Sequence, residues 1–139
     1  MITKAIFDSG IFIGSQDIKD QYVPEAVEIF KYFRNKIILK VYITDYVLVE
    51  TINFILKKVG FEKTMAMYDL LLNTEDIEII YVDSMSMDRI KEIFNKYKNL
   101  SVTDCSLIAL SEKLKIKEIF SFDKHFDSVK GLVRLESVT

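Results

Sequence analysis

The sequence predicts an α/β protein: a sandwich of helices around a mainly parallel sheet. Three observations carry this. Short β-rich apolar runs alternate with longer stretches of helical periodicity. The runs are apolar on both faces, as strands covered by helices on each side must be. Only four Gly and one Pro interrupt 139 residues, so elements are long and connections short.

The first run is Ala5-Ile6-Phe7, which reads as a strand entering a turn at Asp8-Ser9-Gly10. Pro24 opens a helix, with Ala26, Val27, Phe30 and Phe33 as its apolar stripe. Ile37 to Ile43 reads as the second strand. Thr44 caps a helix running to about Lys58, and Gly60 ends it. Lys63 to Leu72 is a further helix, and Ile77 to Val82 a buried strand. Ser86 to Lys98 is an amphipathic helix with Met87, Ile90, Ile93 and Phe94 inward. Ser101 caps the helix through Lys115, with Asp104 completing a capping box. Glu118 to Phe122 and Leu132 to Val138 are the last two strands.

Length fits one domain over residues 1–139, and an apolar share of 50% fills its core without disulfides. One cysteine, Cys105, excludes an intramolecular disulfide and suits a reducing cytoplasm. The N-terminus lacks the regions of a signal peptide, and no apolar run is long enough to cross a membrane. A net charge of −2 argues against nucleic-acid binding through bulk basicity. Any such partner is engaged by a local patch or through bound metal.

Open parallel sheets bind ligands at the carboxyl ends of their strands. That rule picks out Asp8, Thr44, Asp45, Asp83 and Asp123, to which helix-borne Glu50 and Asp104 are added. Each has a bland reading. Asp8 and Asp123 fit turn caps, Asp104 fits a capping box, and Ser84 and Ser86 mark Asp83 as part of a helix start. Asp45, Asp76, Asp88 and Asp127 read as solvated charges. Glu50 lies opposite the stripe Leu48, Ile52, Ile55, Val59, yet its neighbours Tyr46, Val47 and Phe54 suggest partial cover. A covered Glu needs a cation or a donor. One His and one Cys exclude a tetrahedral N/S zinc site, and no P-loop, nucleotide-binding glycine motif or nucleophile elbow occurs. Oxygen ligands remain, which suit magnesium or manganese. Residue chemistry alone leaves the choice among these acids, Asp83 included, open.

Four segments resemble, in order, the motifs of PIN domains: Phe7-Asp8-Ser9-Gly10-Ile11, Val49-Glu50, Ser101-Val102-Thr103-Asp104, and Phe120-Ser121-Phe122-Asp123-Lys124-His125-Phe126. The resemblance spans nearly the whole chain. It implies a three-layer α/β/α fold in which Asp8, Glu50, Asp104 and Asp123 converge on one or two Mg²⁺ or Mn²⁺ ions, with Ser9 and Thr103 nearby. Asn99 stands where many relatives carry a further acid, which thins the second metal position. The nearest subgroup resembles VapC-type toxins, which are ribonucleases restrained by an antitoxin and usually dimeric. The implied activity is hydrolysis of RNA phosphodiester bonds by activated water. Lys57, Lys58, Lys63, Lys124 and His125 are candidates for contacts to the RNA backbone. A stand-alone RNA-processing nuclease and a non-cleaving scaffold of the same fold are the alternatives. The Phe30, Tyr32, Phe33 and Tyr68 region reads as core in preference to a dimer or inhibitor groove.

Overall fold

The computed structural model describes residues 2–16 and 21–138. Five strands form one sheet: β1 (Lys4–Phe7), β2 (Lys40–Thr44), β3 (Ile77–Ile80), β4 (Glu118–Phe120) and β5 (Val133–Leu135), in the order β3-β2-β1-β4-β5. All four pairings are parallel. The helices are α1 (Ser9–Gln16), α2 (Val23–Arg34), α3 (Asp45–Lys58), α4 (Phe61–Asn73), α5 (Ser84–Tyr97) and α6 (Val102–Leu114). A 3₁₀ turn at Lys124–Ser128 links β4 to the last strand. The expected α/β sandwich is therefore the observed one.

The central strands are buried because helices cover them. Ala5, Ile6, Phe7, Val41, Ile43, Ile119 and Phe120 have no exposed surface. Phe7 is the hub of an aromatic cluster, with ring centroids 5.7 Å from Phe12, 6.4 Å from Phe33 and 5.6 Å from Phe120. Phe30 and Phe33 are core, as expected, while Tyr68 is exposed.

Several boundaries depart from the sequence reading. Asp8-Ser9-Gly10 opens α1 directly, with no intervening turn. That helix shows no amphipathic period because Ile11, Phe12, Ile13 and Gly14 are all buried. The second strand begins at Lys40, since Ile37 and Leu39 are exposed. The third ends at Ile80 and lies at the sheet edge, so it is only partly covered. Of the four residues expected inward on α5, Ile90 and Ile93 are buried, whereas Met87 and Phe94 face solvent. Val27 on α2 is likewise exposed. The last strand is Val133–Leu135, shorter than expected.

The caps came out as read. Thr44 Oγ1 accepts from Val47 N–H at 3.3 Å, and Ser101 and Asp104 form the reciprocal capping box. Gly60 separates α3 from α4 with φ 131°, a conformation that favours glycine. Among the described residues, no helix is long and apolar enough to cross a membrane.

Candidate active site

The strand order reverses beside β1: β2 and β3 extend to one side, β4 and β5 to the other. Open α/β sheets bind ligands outside the carboxyl ends of the strands at such a switch point. Asp8 is the first residue beyond β1 and Asp123 lies just beyond β4. The two strand ends are tied by Asp8 N–H donating to Phe120 C=O at 3.0 Å. Asp83 follows the edge strand β3, two strands away, and caps α5 by accepting from Ser86 N–H at 2.8 Å. The helix-start reading of Asp83 is the observed one.

Asp8 is the most enclosed of the four acids, 7% exposed. Its Oδ1 accepts from Ser9 N–H at 2.8 Å and its Oδ2 from the Ser121 hydroxyl at 2.7 Å. Ser121 Oγ in turn accepts from Asp123 N–H at 3.0 Å. One fully buried hydroxyl thus links the Asp8 carboxyl to the backbone that carries Asp123. Ser9 also reaches Glu50, its Oγ donating to Oε2 at 2.7 Å across 41 residues of sequence. Glu50 is exposed, against the expectation of partial cover, and finds its donor in Ser9.

Asp104 is half-buried, and its Oδ2 accepts from Ser101 N–H at 3.1 Å. The capping reading of Asp104 is therefore real and coexists with its place near the other acids. Asp123 Oδ1 accepts from His125 N–H at 2.9 Å and lies 3.1 Å from His125 Nδ1. Thr103 is half-buried in the first turn of α6, with Lys124 and His125 exposed on the 3₁₀ turn. Lys57, Lys58 and Lys63 are exposed on α3 and α4.

Electrostatics bind the acids into one group. Burial pushes the Asp8 carboxyl up to about 7, opposed by the Ser121 and Ser9 hydrogen bonds and reinforced by the charges of Asp104 and Glu50. Burial also raises Asp104, against the Ser101 hydrogen bonds, with the charge of Asp123 adding to the rise. Asp8 thus feels Glu50 and Asp104, and Asp104 feels Asp123.

Among the described residues, no three acidic, His or Cys side chains stand as a ready-made metal shell. Their oxygens are turned to local donors instead: Ser9 and Ser121, Ser101, and His125. The donor chemistry nevertheless fits a hard divalent cation. Every candidate ligand is a carboxylate oxygen, and Asp8 is a buried acid that repels its neighbours when ionised.

Ser121 was not singled out from the sequence. Its signal was the Ser-x-Asp spacing, which lets a hydroxyl accept the N–H two residues on.

The PIN domain family model matches residues 7–132, most of the chain. This chain belongs to the PIN domain family. The matched span holds all four acids together with Ser9 and Ser121. A VapC ribonuclease of Archaeoglobus fulgidus is 27% identical over 126 residues, covering 88% of this chain and 78% of that relative. Among solved structures, the sarcin-ricin-loop-cleaving toxin VapC20 of Mycobacterium tuberculosis superimposes with a TM-score of 0.79 at 17% identity, over 91% of this chain and 95% of that one. A toxin–antitoxin complex from Klebsiella pneumoniae gives a TM-score of 0.67 at 18% identity, covering 93% and 95%. VapBC2 of Rickettsia felis, bound to a promoter DNA fragment, gives 0.68 at 12% identity, covering 95% and 97%. At these identities the structural likenesses establish the PIN fold.

Proposed function

We propose that this chain is a metal-dependent endoribonuclease that hydrolyses RNA phosphodiester bonds, acting as the toxin of a VapBC-type pair in the cytoplasm. The observation that carries the reading is the Asp8–Ser121–Asp123 link at the switch point of the sheet, with Glu50 and Asp104 close enough to perturb Asp8. The VapC ribonuclease of Archaeoglobus fulgidus supports the choice of RNA as substrate.

Asp8, Asp104 and Asp123 are the residues that would hold Mg²⁺ or Mn²⁺, with Glu50 beside them. Such an ion, when bound, supplies countercharge to the acids and acidifies a water for attack on phosphorus. The chain's own residues do the rest. Ser121 fixes the Asp8 carboxyl and the Asp123 backbone in one geometry. Ser9 restrains Glu50, whose exposed carboxylate accepts the proton of the attacking water. Lys124, His125 and the Thr103 hydroxyl contact the RNA backbone, which positions substrate without reading its sequence. Cleavage proceeds with no covalent link between enzyme and RNA.

The partner reading has its own support. Phe61, Met65, Tyr68 and Leu72 repeat at helical spacing on α4, and all are exposed. This stripe offers an apolar face to a second copy or to an antitoxin.

The test is Mn²⁺-dependent cleavage of a structured RNA panel. The double variant Asp8→Asn/Asp104→Asn abolishes cutting; equal cutting by variant and wild type would sink the metal-site reading. Growth arrest on expression, relieved by co-expressing the product of an adjacent small reading frame, separates a toxin from a stand-alone processing nuclease.

A further inference from the structure

A cavity of about 690 Å³ lies away from the four acids, along α5 and α6 and under the 129–132 segment that leads into β5. Its floor is apolar, built from Ile93, Ile108, Ile116, Val129 and Leu132. Its walls carry five cations, Arg89, Lys96, Lys115, Lys117 and Lys130, against two acids, Glu112 and Glu118. The chain as a whole has the opposite balance, with 19 Lys and Arg against 21 Asp and Glu. Arg89 and Glu112 neutralise one another through two hydrogen bonds of 2.8 Å each. Lys96 lies near enough to Glu112 to act on its carboxylate, which leaves Lys115, Lys117 and Lys130 with Glu118 as the remaining acid of the lining, and among the described residues none of these three forms an ion pair. Like charges gathered around an apolar concavity repel one another and focus a positive potential into it.

One wall is aromatic. Tyr97 is half-buried and Lys96 Nζ sits 5.2 Å from its ring centroid. A basic groove with an aromatic side chain is the general pattern for holding single-stranded nucleic acid without sequence preference. Tyr97 also ends α5, four residues before the Ser101 cap that holds Asp104. The short connection between them joins the cavity wall to the catalytic edge.

We propose that this cavity is an exosite for the sugar-phosphate backbone of single-stranded RNA. Lys115, Lys117 and Lys130 contact its phosphates and Tyr97 offers a face for a base. The proposal rests on the ribonuclease reading only for the identity of the strand as substrate. Binding is a property of the groove and does not require the four acids. An acidic peptide is the competing occupant. The base-sized aromatic surface beside the lysines favours RNA.

The test is fluorescence anisotropy with 5′-labelled hexauridylate, checked intact by gel, on the full chain between 50 and 200 mM salt. Expected is a Lys115→Gln/Lys117→Gln/Lys130→Gln variant that binds at least tenfold more weakly and whose log–log salt slope is shallower by about 2. Lys91→Gln, on α5 but outside the cavity, binds like wild type. Asp8→Asn keeps full hexauridylate binding even when cleavage is lost, so failure of the exosite is separable from failure of the nuclease reading. Unchanged affinity and slope in the triple variant, with its far-ultraviolet circular dichroism intact, would overturn the proposal. So would a wild type that ignores hexauridylate but binds a hexaglutamate peptide through these lysines.

Discussion

Asp8→Asn gives the sharpest measurement, because Asp8 is a buried acid whose folded pKa is raised from 3.8 to about 7. In that window the folded state binds the proton and the unfolded state has lost it. Stability contributed by the protonated form is fully present below about pH 4 and drains away as pH rises towards 7. A rise of about three units corresponds to roughly 4 kcal/mol of cost to the ionised form at pH 8 without metal. Asparagine keeps the shape and an acceptor but cannot accept from both Ser9 and Ser121, which costs about 1 kcal/mol. The variant is therefore slightly less stable than wild type at pH 4. At pH 8 in EDTA it is more stable, by roughly 3 kcal/mol. Urea melts at half-unit pH steps in EDTA read this directly. Added Mn²⁺ raises the wild-type midpoint at pH 8 and leaves the variant's nearly unchanged. Parallel pH curves for the two proteins would refute the buried-acid argument, whatever the enzyme's activity.

Ser121→Ala removes the donor to Asp8 and the acceptor for Asp123 N–H, and urea melts at pH 7 show a loss of about 1–3 kcal/mol, partly restored by Ser121→Thr. Ser9→Ala frees Glu50 from its 2.7 Å hydrogen bond; single-turnover RNA cleavage falls while the unfolding free energy from urea melts changes by less than about 1 kcal/mol. Arg134 is largely buried, pairs with Asp127 and Glu136, and donates to Ser121 C=O at 3.1 Å. Arg134→Ala therefore destabilises the fold by about 1–2 kcal/mol after allowance for its half-exposed partners, and thermal melting reports it.

Much of the fold was legible because its signals are local. Thr44, Ser101 and Gly60 mark helix ends by capping chemistry, which depends on a few neighbouring residues, and each sits where expected. Helix α1 is illegible in the sequence for a non-local reason. Its residues are buried on every side, so its sequence Ile11-Phe12-Ile13 carries no 3.6-residue period, and Ser9-Gly10 mimics a turn. Met87 and Phe94 share the apolar period yet face solvent, because periodicity gives a stripe wider than the face that packs, and α5 buries only Ile90 and Ile93 deeply. Asp127, which reads as a solvated charge, is half-exposed and also pairs with Arg134 at 2.8 Å. A partner seven residues away in an irregular segment has no periodic signature.

The acids divide along the same line. Residue chemistry could not separate Asp83 from Asp8 and Asp123, since each follows a strand. The separation lies in strand order: β3 is an edge and β1 and β4 flank the switch point. Order in a parallel sheet is set by which crossovers bury the most surface, a sum over the whole chain that no local pattern displays. The caps at Asp104 and Asp123 then take on a second meaning. A carboxylate that accepts from a helix-start N–H is held in place while no cation is near, at the positive end of its helix or turn. Asp8, the most enclosed of the four acids, is held by two donors and is pushed up to about 7 nonetheless. Local hydrogen bonds therefore steady this site without neutralising it, and the remaining demand for positive charge falls on whatever enters the crevice.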